Sequence, residues 1–238
     1  MDQKSLGVIG GMGPKATAVF FDKVIENTVA QRDQEHVDMI ILNHATIPDR
    51  TTVILEGTEE RFLNAVARDL KLLENAGVAH IAIPCNTSHY FYEEMQAMTS
   101  VPIINMVDET VRMIHDRYGS GIKVGVLATS GTMKSGVYAR ACERYGLEHY
   151  APDEAMQEQV MKIIYSNVKR DMDFSPDELQ ALIYELKEHH GCECVILACT
   201  ELSCIQLGPK FESSVVDAMQ VLVERSITLS GRTPKSRQ

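Results

Sequence analysis

Short apolar runs alternate along this chain with longer stretches whose apolar positions recur every three or four residues. The runs fall at 6–10, 37–43, 81–85, 101–105, from Ile122 onward and at 195–199, and each gives way to small or polar residues. Four to eight apolar residues bounded by turn signals read as buried strands, and the longer period reads as amphipathic helix. Helices are expected at 16–30, with Pro14 in the first turn where its missing N–H costs nothing, and at 58–75, where Phe62, Leu63, Val66, Leu70 and Leu73 share a face and Gly77 stops the run. Others are expected through Phe91 and Met95, from near Asp108 to Tyr118-Gly119, and at 217–229. Residues 44–52, including Arg50, are expected as a loop after a strand tip. Strands alternating with helices predict an α/β chain with parallel sheets.

The pattern runs twice. Gly7 aligns with Gly125 at an offset of 118, Cys85 with Cys199 at 114, and Asp108 with Asp217 at 109. One unit used twice predicts two similar lobes, each a parallel sheet flanked by helices, with the active site in the cleft where their strand tips meet. Residues 1–100 are expected to form the first lobe and 101–216 the second, with a hinge near 100–121. Residues 217–238 are expected to pack back on the first lobe, ending in a frayed polar tail from 230 to 238.

Composition narrows the function. A net charge of -10, from 23 basic and 33 acidic residues among 238, argues against a nucleic-acid partner and against adsorption to anionic membrane. Met1-Asp-Gln-Lys-Ser leads straight into a strand-like run without a signal-peptide core, and no run of 18 apolar residues follows, so a cytoplasmic location is expected. Six cysteines, several inside apolar runs, fit reduced thiols better than disulfides.

The candidate chemistry sits at two of those cysteines. Residues 81–88, Ile-Ala-Ile-Pro-Cys-Asn-Thr-Ser, return altered at 195–202 as Val-Ile-Leu-Ala-Cys-Thr-Glu-Leu. Cys85 and Cys199 thus stand at matched strand tips, where open parallel sheets bind ligands. A thiol of ordinary pKa near ~8.5 is only about a tenth thiolate at pH 7.5, and the hydroxyls, amide and free N–H groups that follow each cysteine are donors that favour the anion. Two thiols on opposite faces of one carbon permit a thiolate to remove a proton while the other thiol delivers one, inverting a stereocentre. Cys142, Cys192, Cys194 and Cys204 read as buried small hydrophobes. Cysteines at 192, 194, 199 and 204 do not read as a zinc site, because alternate side chains of a strand point to opposite faces. The glycine turn, G-x-x-G-G-x-G from Gly7 to Gly13, is not the dinucleotide fingerprint, but its N–H groups at a helix start suit an anion such as a carboxylate. His44 and His89 lie near the proposed site without an assigned role.

Gly-Gly-Met-Gly-Pro near the start, Pro-Cys-Asn-Thr at 84–87 and Ala-Cys-Thr-Glu at 198–201, in register with the repeat, resemble the aspartate/glutamate racemase family over essentially the whole chain. The glycine turn, and Glu201 where the glutamate racemases of cell-wall synthesis usually carry histidine, are similar to the aspartate racemase branch. The resemblance implies a cofactor-independent amino-acid racemase with no metal, a small-molecule amino-acid substrate and commonly a homodimer. Carried over by position, Cys85 and Cys199 match the catalytic pair. Asn86, Thr87 and Thr200 match residues that hold the α-carboxylate and amino group, with Met12 lining the same pocket and Glu201 counted beside them. Arg50 and Lys169 resemble basic residues placed near an acidic side chain, and Thr129, Ser130 and Thr132 after the second-lobe strand add candidate hydroxyl donors. Aspartate is the leading substrate, with glutamate or a broader set beside it. A hydantoin racemase or maleate isomerase on the same scaffold is the alternative, as is a non-catalytic amino-acid sensor, since fold alone does not separate them.

Overall fold

The computed structural model describes residues 4–211 and 213–236; the opening Met1-Asp-Gln and the last two residues of the tail lie outside that range. The first lobe carries β1 (Leu6–Gly10), α1 (Pro14–Asn27), β2 (Met39–Asn43), α2 (Arg50–Glu56), α3 (Glu59–Asn75), β3 (His80–Ala82) and α4 (Tyr92–Ala97). Its three strands lie parallel in the order β2-β1-β3, with Leu6 level with Met39 on one side and His80 on the other. After α5 (Met106–Tyr118) the order recurs as β4 (Lys123–Leu127), α6 (Ser130–Ser135), α7 (Val137–Arg144), β5 (Glu148–Tyr150), α8 (Glu154–Met161), a π-helical segment (Lys162–Arg170), α9 (Asp177–Glu188), β6 (Cys194–Leu197), β7 (Val215–Asp217) and α10 (Ala218–Leu229). The second sheet is also parallel, ordered β5-β4-β6-β7.

Side-chain alternation along the strands sorts the core into layers. Leu6 and Val8 of β1, Val124 and Val126 of β4, and Cys194 and Ile196 of β6 all enter one cluster with Phe20 of α1, Val111 of α5 and Leu222 of α10. This central layer is shared by both sheets. The opposite faces are covered separately: Ile9 and Ile81 pack with Phe62 and Leu70 of α3, whereas Leu127, Val195 and Leu197 pack with Ile163 of the π-helical segment and Ile183 of α9. Burying both faces of a parallel sheet is what its uninterrupted apolar strands require. Cys142 and Cys194 sit in the shared layer and Cys192 in the outer one of the second lobe, each as a buried small side chain.

Several local expectations change. Residues 101–105 make a single parallel bridge, Ile103 to Ile81, because Pro102 has no N–H to extend the ladder; Pro102 O still accepts from Ile81 N–H (2.9 Å). β2 is half-buried, with Ile40 38% exposed, since it is the edge of its sheet. Arg50 is not in a loop: it opens α2, and Asp49 caps that helix by accepting from Thr52 N–H (3.0 Å). The repeat is best aligned at its last helix by the caps, Asn105 for α5 and Asp217 for α10, an offset of 112 (217 against 105) rather than the one pairing Asp108 with Asp217. The tail is paired as far as Lys235, whose N–H donates to Asn27 O (2.7 Å), and Val29 N–H donates to Thr233 O (2.9 Å), so it closes over the end of α1 instead of fraying. α10 lies against α1, α5 and β3.

The glycine turn after β1 leaves no room for a side chain. Gly11 has φ +88°, and a Cβ there would stand 2.4 Å from the His44 carbonyl carbon; Gly77 has φ +73° with nothing within 4 Å. Gly77→Ala is expected to cost about 1–2 kcal/mol from the left-handed backbone alone, and Gly11→Ala roughly twice that or more because backbone must also move. Urea unfolding of the two variants measures the difference; equal losses would contradict the collision.

Candidate active site

The residues just past the ends of β3 and β6 meet at the seam between the lobes and line one small pocket. Cys85, Asn86 and Thr87 line it from the first lobe with Met12 and Arg50, and Cys199, Thr200 and Glu201 line it from the second with Thr129 and Lys169. Both repeat cysteines therefore face one small space.

The first thiol is held by its backbone. With its proton on Nδ1, His89 donates to Cys85 O (2.9 Å) and accepts at Nε2 from Met106 N–H (3.2 Å). Burial pushes this imidazole below its ordinary value, which keeps it neutral and suited to both bonds. Arg50 is 7% exposed and braced by Pro48 O and Met12 O, each 3.1 Å from its guanidinium. Burial works against the Arg50 charge, but Cys85 and Asp49 favour it and raise the group above its ordinary value. Its Nε is buried with no hydrogen-bond partner, as is Nδ2 of Asn86, whose Oδ1 accepts from Tyr138 O–H (2.5 Å). Both residues line the same cavity, and a buried unpaired donor is costly unless a ligand takes it.

The second thiol has different company. Cys199 S–H donates to Glu201 Oε2 (3.0 Å), while Glu201 Oε1 is buried without a hydrogen bond, 3.7 Å from Lys169 Nζ. Burial and then the Glu201 charge push the Cys199 thiol well above its ordinary value, with Lys169 opposing. Lys169 stands 4.2 Å over the Tyr165 ring and 3.9 Å from Asp49 Oδ2 across the seam. Burial disfavours its charge, but Glu201, Cys199 and Tyr165 outweigh that and raise it.

Hydroxyls close the seam. Thr87 Oγ1 lies 3.0 Å from Thr129 Oγ1 and 2.8 Å from Thr132 Oγ1, and Thr200 O–H donates to Pro84 O (3.2 Å). Thr129 also caps α6. Thr132 supports this cluster from behind, and Ser130 does not line the cavity: its Oγ accepts from Gln157 Nε2 (3.4 Å). His44 Nδ1 pairs with the buried Asp69 (2.8 Å), fixing the loop that leads to α2.

The chain matches the model of the Asp/Glu/hydantoin racemase family over residues 9–225. It belongs to that family. A broad specificity amino-acid racemase of Bacillus subtilis is 29% identical over 229 residues, covering 94% of this chain and 96% of that protein. Among solved structures, the aspartate racemase of Picrophilus torridus is 30% identical with a TM-score of 0.86, covering 98% of this chain and 96% of the other. An aspartate racemase homologue from Pyrococcus horikoshii is 27% identical with a TM-score of 0.77, covering 96% and 99%. Glutamate racemase from Francisella tularensis, at 19% identity and a TM-score of 0.63, shares the fold.

Within this family fold, Asp49, Thr51 and Tyr165 also line the cavity and were not singled out by sequence. A signal existed for two of them. Asp49 precedes a helix start as an N-cap would, and Tyr165 stands four residues before Lys169, a spacing that brings side chains together on a helix. Tyr165 O–H donates to both oxygens of Asp49 (3.2 and 3.1 Å), joining the lobes. Burial would raise the Asp49 carboxyl, but Thr52 N–H, Arg50, Lys169 and Tyr165 together hold it below its ordinary value. A carboxyl depressed on folding adds stability above its unfolded value, near ~3.9, and loses it as pH falls through the lower folded value. Asp49→Asn retains a capping oxygen but not this titration, so its deficit in urea unfolding, no more than about 1 kcal/mol at pH 6, should shrink below about pH 4. A deficit unchanged down to pH 2 would show that the charge contributes nothing.

Proposed function

We propose that the protein is an amino-acid racemase in which Cys85 and Cys199 form a thiolate/thiol pair acting on opposite faces of the substrate α-carbon, with neither pyridoxal phosphate nor metal. The observation that carries this reading is that equivalent strand tips of two repeated sheets deliver one thiol each to a single cavity. One sulfur takes the α-proton as the C–H bond breaks, and the other S–H bond breaks as its proton goes to the far side of the carbanion. The donors of Arg50 and Asn86 that lack hydrogen bonds suit the α-carboxylate, and Glu201 Oε1, which lacks a hydrogen bond and pairs with Lys169 at 3.7 Å, suits the ammonium.

Aspartate is the first substrate to test, on the likeness to the Picrophilus enzyme and on the two cations, Arg50 and Lys169, at the cavity. A second reading, a broader set including uncharged side chains, is favoured by Asp49 and Glu201, which already flank Lys169 and offset its charge. The name of the Bacillus subtilis relative is in keeping with it.

Incubation with L-aspartate, L-glutamate and a panel of neutral and basic amino acids, without added cofactor, followed by chiral chromatography, should yield the D-enantiomer, and relative rates name the substrate. Cys85→Ser and Cys199→Ser should each lower the rate by about 10³-fold or more while the circular dichroism spectrum is retained. Racemisation at the wild-type rate by either variant would exclude the two-thiol mechanism, and no turnover of any amino acid would exclude the function.

A further inference from the structure

We propose that Glu201 is a positioning residue that holds the resting proton of the thiol pair on Cys199. The inference rests on the reading of these cysteines as the reacting pair, but its test does not use turnover.

The two sulfurs have different neighbours. Arg50, the cation braced by Pro48 and Met12, faces Cys85. Cys199 instead donates its S–H to Glu201 Oε2 at 3.0 Å, and Glu201 is only 4% exposed, so water does little to screen the carboxylate. Were the proton lost from Cys199, a thiolate would face that carboxylate at hydrogen-bond distance with no hydrogen between them. Lys169 and Tyr165 from the π-helical segment and Tyr138 from α7 also face Cys199, and Arg50 shares the pocket and feels the Glu201 charge. Lys169 Nζ stands 3.7 Å from Oε1 of Glu201 and 3.9 Å from Asp49, so its charge is shared with two carboxylates. Burial and the Glu201 charge raise the Cys199 thiol, in the same direction. Gly13 reinforces the arrangement, since a Cβ there would come within 3.2 Å of Glu201 Oε1.

In the reaction this makes Cys199 the acid first, with Cys85 taking the α-proton. Cys85 gains the α-proton, Cys199 gives up its own, and the resting state returns when Cys85 releases a proton to solvent and Cys199 takes one up. Atoms and charge balance without any further reactant.

The test is alkylation of the full-length protein by iodoacetamide between pH 6 and 10, with the rate at each cysteine read by peptide mass spectrometry. In the wild type, Cys85 should react about tenfold or more faster than Cys199 at pH 7.5. Glu201→Gln keeps the size of the side chain and removes its charge; it should speed Cys199 by about tenfold and move its pH profile to lower pH by about one unit, with Cys85 changed less than about twofold. Glu201→Asp keeps the charge and should leave Cys199 slow. Lys169→Met, which removes the opposing cation, should slow Cys199 further and covers the case in which Glu201→Gln does not fold. Equal rates at the two cysteines in the wild type, an unshifted Cys199 profile in Glu201→Gln, or a Cys199 rate unchanged in Lys169→Met would each overturn the proposal. A protein that shows the asymmetry but racemises nothing would refute the functional reading and leave the assignment of the proton standing.

Discussion

Two strand tips from separate sheets must reach one small space, and the seam between the lobes is what satisfies that constraint. Its contacts are short and polar. Three threonine hydroxyls from Thr87, Thr129 and Thr132 meet within 3.1 Å of one another, Thr200 reaches across to Pro84 O, and Tyr165 reaches across to Asp49. Gly131 approaches so closely that a Cβ would lie 2.7 Å from Thr51 Cα. Hydroxyls are suited to such a seam because each can donate or accept, so the threonine cluster is satisfied without charge.

Behind the seam, the shared apolar layer holds the two sheets in a fixed relation. α1, α5 and α10 contribute to one cluster with strands of both lobes, so the tips of β3 and β6 are set by core packing and not by loops. Groups mounted on packed strands hold their geometry better than groups on mobile loops. The cavity charges are then added at helix starts and in one irregular helix: Arg50 opens α2 behind its Asp49 cap, and Lys169 projects from the π-helical segment. π-helical turns are rare and tend to occur at functional sites.

Much of this was legible in the chain. The alternation of buried runs and amphipathic stretches carried the parallel α/β fold, and the duplicated run ending in Cys85 and Cys199 carried the cavity, because a strand tip is where a buried side chain first meets a ligand. What stayed hidden depended on tertiary pairing. Ile40 reads as core, but only the sheet order reveals that β2 is an edge. β5, Glu148-His149-Tyr150, is too polar to register as a strand and is recruited by pairing with β4. Asp49 and Tyr165 are distant in sequence and acquire a role only by meeting at the seam. Ser130 shows the converse: it follows the second-lobe strand as closely as Thr129 does, but its Oγ accepts from Gln157 and it does not line the cavity.

The proposed placement of one thiolate and one thiol on opposite faces of the α-carbon is tested most directly by where the label goes in heavy water. Each pure enantiomer of the preferred amino acid, incubated in D2O and sampled in the first few per cent of reaction, should give product carrying deuterium at the α-carbon, while the recovered starting enantiomer retains its protium. That result requires a different group on each face. Deuterium appearing in the starting enantiomer as fast as in the product, or protium carried from substrate into product, would mean that a single base serves both faces and would contradict the account.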